Sequence, residues 1–164
     1  MELYLIRHGI AAERGTYTND DERPLTDEGI RKTKRIAKRL YDLNVRFNLI
    51  QTSPLIRARE TAEILKTAGL SKQLEESPYL APDGDFAAWL VWLQQWRTAD
   101  RQLAIVGHEP DLGEWAERLV WGTPRQQLVV KKAGIIGLLL PEQDSPVGKS
   151  QLFWLSPPRF LVEK

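Results

Sequence analysis

The chain has 164 residues, 42% hydrophobic and 27% charged, with a net charge of +1 and no cysteine. That length suffices for one domain with a substantial core, and the charge balance gives no general attraction to nucleic acid or an acidic membrane. Without cysteine there is no disulfide, thiolate metal site or thiol chemistry. No apolar run approaches the length of a signal-peptide core or a bilayer span, so a single cytoplasmic domain over residues 1–164 is expected.

In chain order, residues 3–6 (LYLI) read as a buried strand that stops at Arg7-His8-Gly9. A polar loop spans 11–23. Thr26 suits a helix N-cap, with Asp27 and Glu28 placing negative charge in the first turn. Ile30, Thr33, Ala37, Leu40 and Tyr41 then follow helical spacing. Residues 47–52 form a second strand. Ser53-Pro54 is expected to open the next helix as N-cap and N1, with Ala58, Thr61, Ala62 and Leu65 facing inward and Gly69 as its stop.

The segment up to Asp85 reads as a loop holding Pro78, Pro82 and Gly84. Asp85 caps a helix carrying Phe86, Trp89, Leu90, Leu93 and Trp96, while Trp92 falls off that stripe as a candidate partner surface. Residues 103–106 are the third strand, after which Pro110 starts a helix with Leu112, Trp115, Ala116 and Leu119 on one face. β character then takes over at 128–130, 135–140 and 151–155. This alternation predicts a three-layer α/β/α fold, a mostly parallel central sheet with helices on both faces.

Basic groups follow all three early strands: Arg7 and His8, then Arg57 in the first turns of a helix, then His108. In open α/β sheets, ligand sites gather outside the carboxyl ends of the strands. Helix starts at Ser53-Pro54 and Glu109-Pro110 would add free N–H groups and positive helix ends. The set suits a dianionic oxyanion, phosphate above all. Arginine offers two-pronged donors to phosphate, a neutral imidazole offers a nucleophile, and a second imidazole can donate to developing charge. Two other readings use the same residues. One is a metal enzyme ligated by His8 and His108 with Asp111 or Glu109, although an arginine beside a ligand histidine is electrostatically awkward. The other is a phosphate-binding module without chemistry.

Arg7-His8-Gly9 after a strand resembles the signature of the histidine phosphatase superfamily, which includes the cofactor-dependent phosphoglycerate mutases. Further matching pieces follow in family order. They are Arg23-Pro24-Leu25-Thr26 with Gly29, Ser53-Pro54-Leu55 with Arg57-Ala58 and Thr61, Leu80 with Gly84-Asp85, and Gly107-His108-Glu109-Pro110. In length, and in its brief segment between Gly69 and Asp85, the chain is most similar to the small SixA-like phosphohistidine phosphatases.

The resemblance implies a phosphoglycerate mutase-like fold with a short lid and chemistry needing neither metal nor cofactor. His8 becomes the nucleophile, Arg7, Arg57 and His108 the phosphate clamp, and Arg23 a further candidate contact. It implies a phosphohydrolase acting through phospho-His8 on a phosphorylated protein, such as a histidine-containing phosphotransfer domain in signalling. A small phosphate ester, of a sugar or nucleotide, is the alternative substrate. His8 should be neutral, its second nitrogen donating to a backbone carbonyl and the arginines disfavouring the imidazolium. His108 should be charged, stabilised by the substrate dianion.

Larger members carry a glutamate soon after a Pro-x-Leu segment, as proton donor to an alcohol. This chain reads Pro78-Tyr79-Leu80-Ala81-Pro82-Asp83 instead. Glu109, at the expected N-cap position where glutamate is not favoured, is the foremost substitute, with Asp85, Asp20 and Glu13 as others. An alkoxide leaves poorly without an acid, whereas a phosphorylated imidazole leaves neutral once its ring is protonated, near pH ~6.5 for free histidine. The missing glutamate therefore fits a phosphohistidine substrate. Arg59 and the basic residues between 31 and 39 read as solvated faces, and Trp89 and Trp96 as core. Lys131-Lys132 would add positive field if the fold brings them to the pocket.

Overall fold

The computed structural model describes residues 1–162. Six strands form one sheet: β1 (Glu2–Arg7), β2 (Leu49–Thr52), β3 (Leu74–Glu76), β4 (Gln102–Gly107), β5 (Ile135–Leu139) and β6 (Gln151–Ser156), in the spatial order β3-β2-β4-β1-β5-β6. β1, β4, β2 and β3 run parallel, while β5 and β6 add antiparallel strands beyond β1. The sheet is thus mixed and mostly parallel.

Alternating side chains of β1 explain the layering, because successive residues of a strand point to opposite faces. Leu3 and Leu5 join Leu103 and Ile105 of β4 under α3 (Phe86–Trp96) and α4 (Asp111–Trp121), with Trp89 and Leu93 fully buried there. Tyr4 and Ile6 join Ala104 and Val106 under α1 (Asp27–Asp42) and α2 (Ile56–Thr67), against Ile36, Leu40, Ala58 and Leu65. Each fully buried leucine or isoleucine contributes roughly 2 kcal/mol of apolar transfer free energy. Two helices therefore cover each face. Among the described residues, no helix is long and apolar enough to cross a membrane.

Thr26 caps α1 by accepting from Gly29 N–H at 3.0 Å, and Asp85 caps α3 by accepting from Ala88 N–H at 2.9 Å. Other expectations need correction. Helix α2 starts at Ile56 with Leu55 as its N-cap, so Ser53 does not cap it. Ser53 N–H instead donates to Val106 O at 2.9 Å, continuing the β2–β4 ladder. The short strand β3 falls in the segment read as loop, where its polar Leu-Glu-Glu carries no apolar alternation. Residues 128–130 are not a strand, because Leu128 and Val130 N–H groups are taken by the carboxylates of Glu117 and Glu109. Tyr41 is exposed, with the Arg46 guanidinium 3.6 Å from its ring centroid. Trp92 is half-buried and stacks on Trp96 at 5.7 Å between centroids, so it is no free aromatic surface.

The spatial order β2-β4-β1 decides where chemistry can occur. β4 lies between β1 and β2, so the carboxyl ends of these three strands deliver Arg7-His8, His108 and Ser53 to one edge.

Candidate active site

At that edge lies a cavity of about 630 Å³ whose walls include Arg7, His8, Arg23, Arg57, His108 and Glu109. The fold brings the proposed nucleophile, the three clamp residues, Arg23 and Glu109 together here, whereas Asp85 and Asp111 do not line this cavity. The His8 and His108 rings stand 5.2 Å apart between centroids. Arg23, Arg57, His8 and His108 are all buried.

The His8 loop is held from several sides. His8 N–H donates to Gly107 O at 3.1 Å, continuing the β1–β4 pairing, and Gly9 N–H donates to Thr61 Oγ1 at 3.0 Å. A Cβ at Gly9 would stand 2.4 Å from Thr33 Oγ1, so a larger residue here would force that buried side chain to shift. Ala133 N–H donates to both Arg7 O and His8 O at 3.1 Å, which seats the Lys131–Ala133 turn against this loop. Lys132 thereby lines the cavity, and Lys131 faces a neighbouring cleft of about 380 Å³.

His8 Nδ1 lies 2.7 Å from Gly9 O. A carbonyl can only accept, so Nδ1 carries the proton and Nε2 keeps its lone pair. Burial is the leading cause that lowers the His8 pKa to about 3, with His108, Arg57 and Arg7 adding repulsion. The ring is neutral as expected, but desolvation rather than the arginines is the main reason.

The charge expected for His108 belongs to the complex with a substrate dianion; without one the ring is neutral. Burial first, then Arg57 and Arg7, lower its pKa to about 3, so it stays neutral until an anion enters. Its Nε2 lies 2.7 Å from Ser53 Oγ, which also accepts from Leu55 N–H at 3.3 Å, while its Nδ1 is buried without a partner. The tautomer in which the Ser53 hydroxyl donates to Nε2 puts the proton on Nδ1, where an anion could satisfy it. Ser53 was legible only as a helix cap. Its bond to His108 depends on β2 and β4 being neighbours.

The arginines are similarly poised. Arg7 Nη1 donates to Val130 O at 3.1 Å, and the Nε atoms of Arg7 and Arg57 are buried without partners. Arg57 Nη1 donates to Asp20 O at 2.9 Å and Nη2 to Asp20 Oδ2 at 3.2 Å. Arg23 donates from Nε to Asp20 Oδ1 at 2.7 Å and from Nη1 to Ala12 O at 2.6 Å. Arg23 thus ties down the 11–23 loop while lining the cavity.

Asp20 places a carboxylate on two arginines that would otherwise face an incoming anion. Its bond to Arg23 is the leading cause of its lowered pKa, so it is a poor proton donor. Asp85 is committed to its cap, and Glu13 stands exposed at the cavity wall. Glu109 differs from these, because burial raises its pKa. It is not the N-cap of α4, a position held by Pro110; its Oε1 accepts from Val130 N–H at 2.9 Å. Asp111 Oδ2 accepts from Asp83 N–H at 2.9 Å, and among the described residues no three potential metal ligands cluster.

Because Asp20 is exposed, its removal should cost little stability. Asp20→Asn should tighten inorganic phosphate binding about fivefold, the equivalent of ~1 kcal/mol of competition removed. Isothermal titration at fixed ionic strength reads this directly. Weaker binding would instead make Asp20 an orienting group for the two arginines.

Residues 3–120 match the family model of the histidine phosphatase superfamily (branch 1). An uncharacterized protein of Picosynechococcus sp. is 48% identical over 164 residues, 99% of each chain. The phosphohistidine phosphatase SixA of Escherichia coli is 29% identical over 115 residues, covering 69% of this chain and 70% of that one. The solved structure of the protein histidine phosphatase SixA complexed with tungstate superposes with a TM-score of 0.84 at 26% identity, over 99% of this chain and 100% of that one.

Proposed function

Because the chain belongs to the histidine phosphatase superfamily, we propose that it hydrolyses phosphorylated substrates through a covalent phosphohistidine on His8, with a phosphohistidine-bearing protein as its substrate. The observation that carries this reading is the bond from His8 Nδ1 to Gly9 O, which leaves Nε2 of a neutral, buried ring as the nucleophile.

In the first half-reaction Nε2 attacks phosphorus as the bond to the leaving imidazole breaks. Arg7, Arg57 and the His108 Nδ1 proton stabilise charge on the phosphoryl oxygens. The leaving ring takes a proton and departs neutral. Glu109 is the proton donor we assign, since burial raises its pKa whereas the bond to Arg23 lowers that of Asp20. In the second half-reaction water attacks phospho-His8, Glu109 recovers a proton, and inorganic phosphate leaves. Support for phosphohistidine comes from the likeness to SixA.

The test is a substrate panel run in excess EDTA: a phosphorylated histidine-containing phosphotransfer domain, p-nitrophenyl phosphate, and sugar and nucleotide phosphates. We expect kcat/KM to be at least tenfold higher for the phosphoprotein, with chelator leaving turnover unchanged. Faster turnover of a sugar or nucleotide phosphate would reassign the substrate class. Loss of turnover with EDTA would overturn the metal-independent mechanism.

A further inference from the structure

Glu117 is a fully buried carboxylate on α4, outside the cavity, and no cation pairs with it among the described residues. An isolated buried charge is costly unless hydrogen bonds replace its water. Here four consecutive backbone N–H groups do so. Arg125 and Gln126 (2.7 Å) donate to Oε2, and Gln127 (2.5 Å) and Leu128 (2.6 Å) donate to Oε1. Burial pushes the Glu117 pKa up, yet these donors more than offset it and leave the group below its ordinary value.

The loop so gathered lies directly on α4. A Cβ at Gly113 would sit 2.3 Å from Leu128 O, so only glycine permits that approach. Two residues further on, Val130 reaches the candidate active site with both backbone groups. Its N–H donates to Glu109 Oε1 at 2.9 Å, and its carbonyl accepts from Arg7 Nη1 at 3.1 Å. One residue thus orients the assigned proton donor and a clamp arginine together. Its own position is set by the segment that Glu117 anchors.

We infer that Glu117 is a positioning residue: its carboxylate locks the 125–130 loop so that Val130 holds Arg7 and Glu109 in place for the phosphoryl group. This rests on the reading that Arg7 binds that group. Glu117→Gln preserves shape but supplies one accepting oxygen, so two of the four loop N–H groups then face an NH₂ that cannot accept.

Isothermal titration with inorganic phosphate on wild type, Glu117→Gln, Arg7→Ala and the double variant tests the inference. Glu117→Gln should weaken phosphate binding at least fivefold in the wild-type background and less than twofold once Arg7 is absent. Equal weakening in both backgrounds, or none in either, would overturn it. A second measurement needs no substitution in α4. By linkage, saturating phosphate should slow amide exchange at Gln126, Gln127 and Leu128 severalfold in wild type and leave it unchanged in Arg7→Ala. Unaltered exchange in wild type would overturn the coupling. Failure of wild type to bind phosphate at all would overturn the phosphate site itself, whereas normal wild-type binding with an unresponsive Glu117→Gln would overturn only the role of Glu117.

Discussion

Replacing His8 with alanine should lower turnover on the order of 10⁴-fold or more, because the other imidazole of the cavity, His108, has its Nε2 engaged by Ser53 Oγ at 2.7 Å and cannot take the place of the His8 nucleophile. Brief mixing with labelled substrate should trap an acid-labile, alkali-stable phosphoenzyme in wild type and none in His8→Ala. The clamp does not depend on the nucleophile, so the variant should still bind inorganic phosphate within a few-fold of wild type. Turnover and binding are thereby separated. The pH profile adds a further check. With its pKa at about 3, the His8 ring is neutral, with Nε2 unprotonated, across pH 5–8 in the free enzyme. The value of kcat/KM should therefore show no loss on the acid side near pH 6.5 from protonation of the nucleophile. Sustained turnover by His8→Ala would end the covalent mechanism.

Acid should destabilise the ligand-free protein well before ordinary carboxylates titrate. Both His8 and His108 have folded-state pKa values of about 3, against ~6.5 for an unfolded histidine. Between these values the unfolded chain binds more protons than the native one, so stability rises with pH through that window. The contribution is complete above about pH 6.5 and is lost progressively as pH falls toward 3. Going from pH 7.5 to 5 removes about 2 kcal/mol per ring, or about 4 for the pair, a large share of a typical ~5–15 kcal/mol. Urea unfolding at the two pH values measures it. The double substitution His8→Asn with His108→Asn should abolish most of the difference, and an undiminished difference in that variant would refute the assignment. Added phosphate should reduce the loss in wild type, because a bound dianion favours the His108 imidazolium and the protein gains its binding energy only when folded.

The alternation of apolar residues in β1 and β4 is visible in the chain itself, and so are the caps at Thr26 and Asp85. Those features depend on local backbone preference and on period, which neighbouring residues specify. Strand β3 escaped because three residues dominated by glutamate carry no alternation, and pairing with β2 alone makes them a strand. Residues 128–130 misled in the opposite sense. Their side chains are β-prone, but Glu117 on α4 and Glu109 just before it claim the backbone donors that a sheet would need. Asp20 and Ser53 illustrate the same limit at the site. Nothing near either residue indicates that one lies across Arg57 and the other against His108.

Sequence by itself determined the residue types of the site, their placement just beyond apolar runs, and hence a pocket chemistry suited to phosphate. Tertiary structure decided which atoms are already engaged, how far each ring is removed from water, and that a buried carboxylate of α4 gathers the backbone N–H groups of residues 125–128. The physical reason is range. Propensity and periodicity act over a few residues, whereas desolvation and hydrogen-bond partnership depend on what the fold brings across from positions 55 to 123 residues away in the chain, such as Ser53 at His108 and Val130 at Arg7.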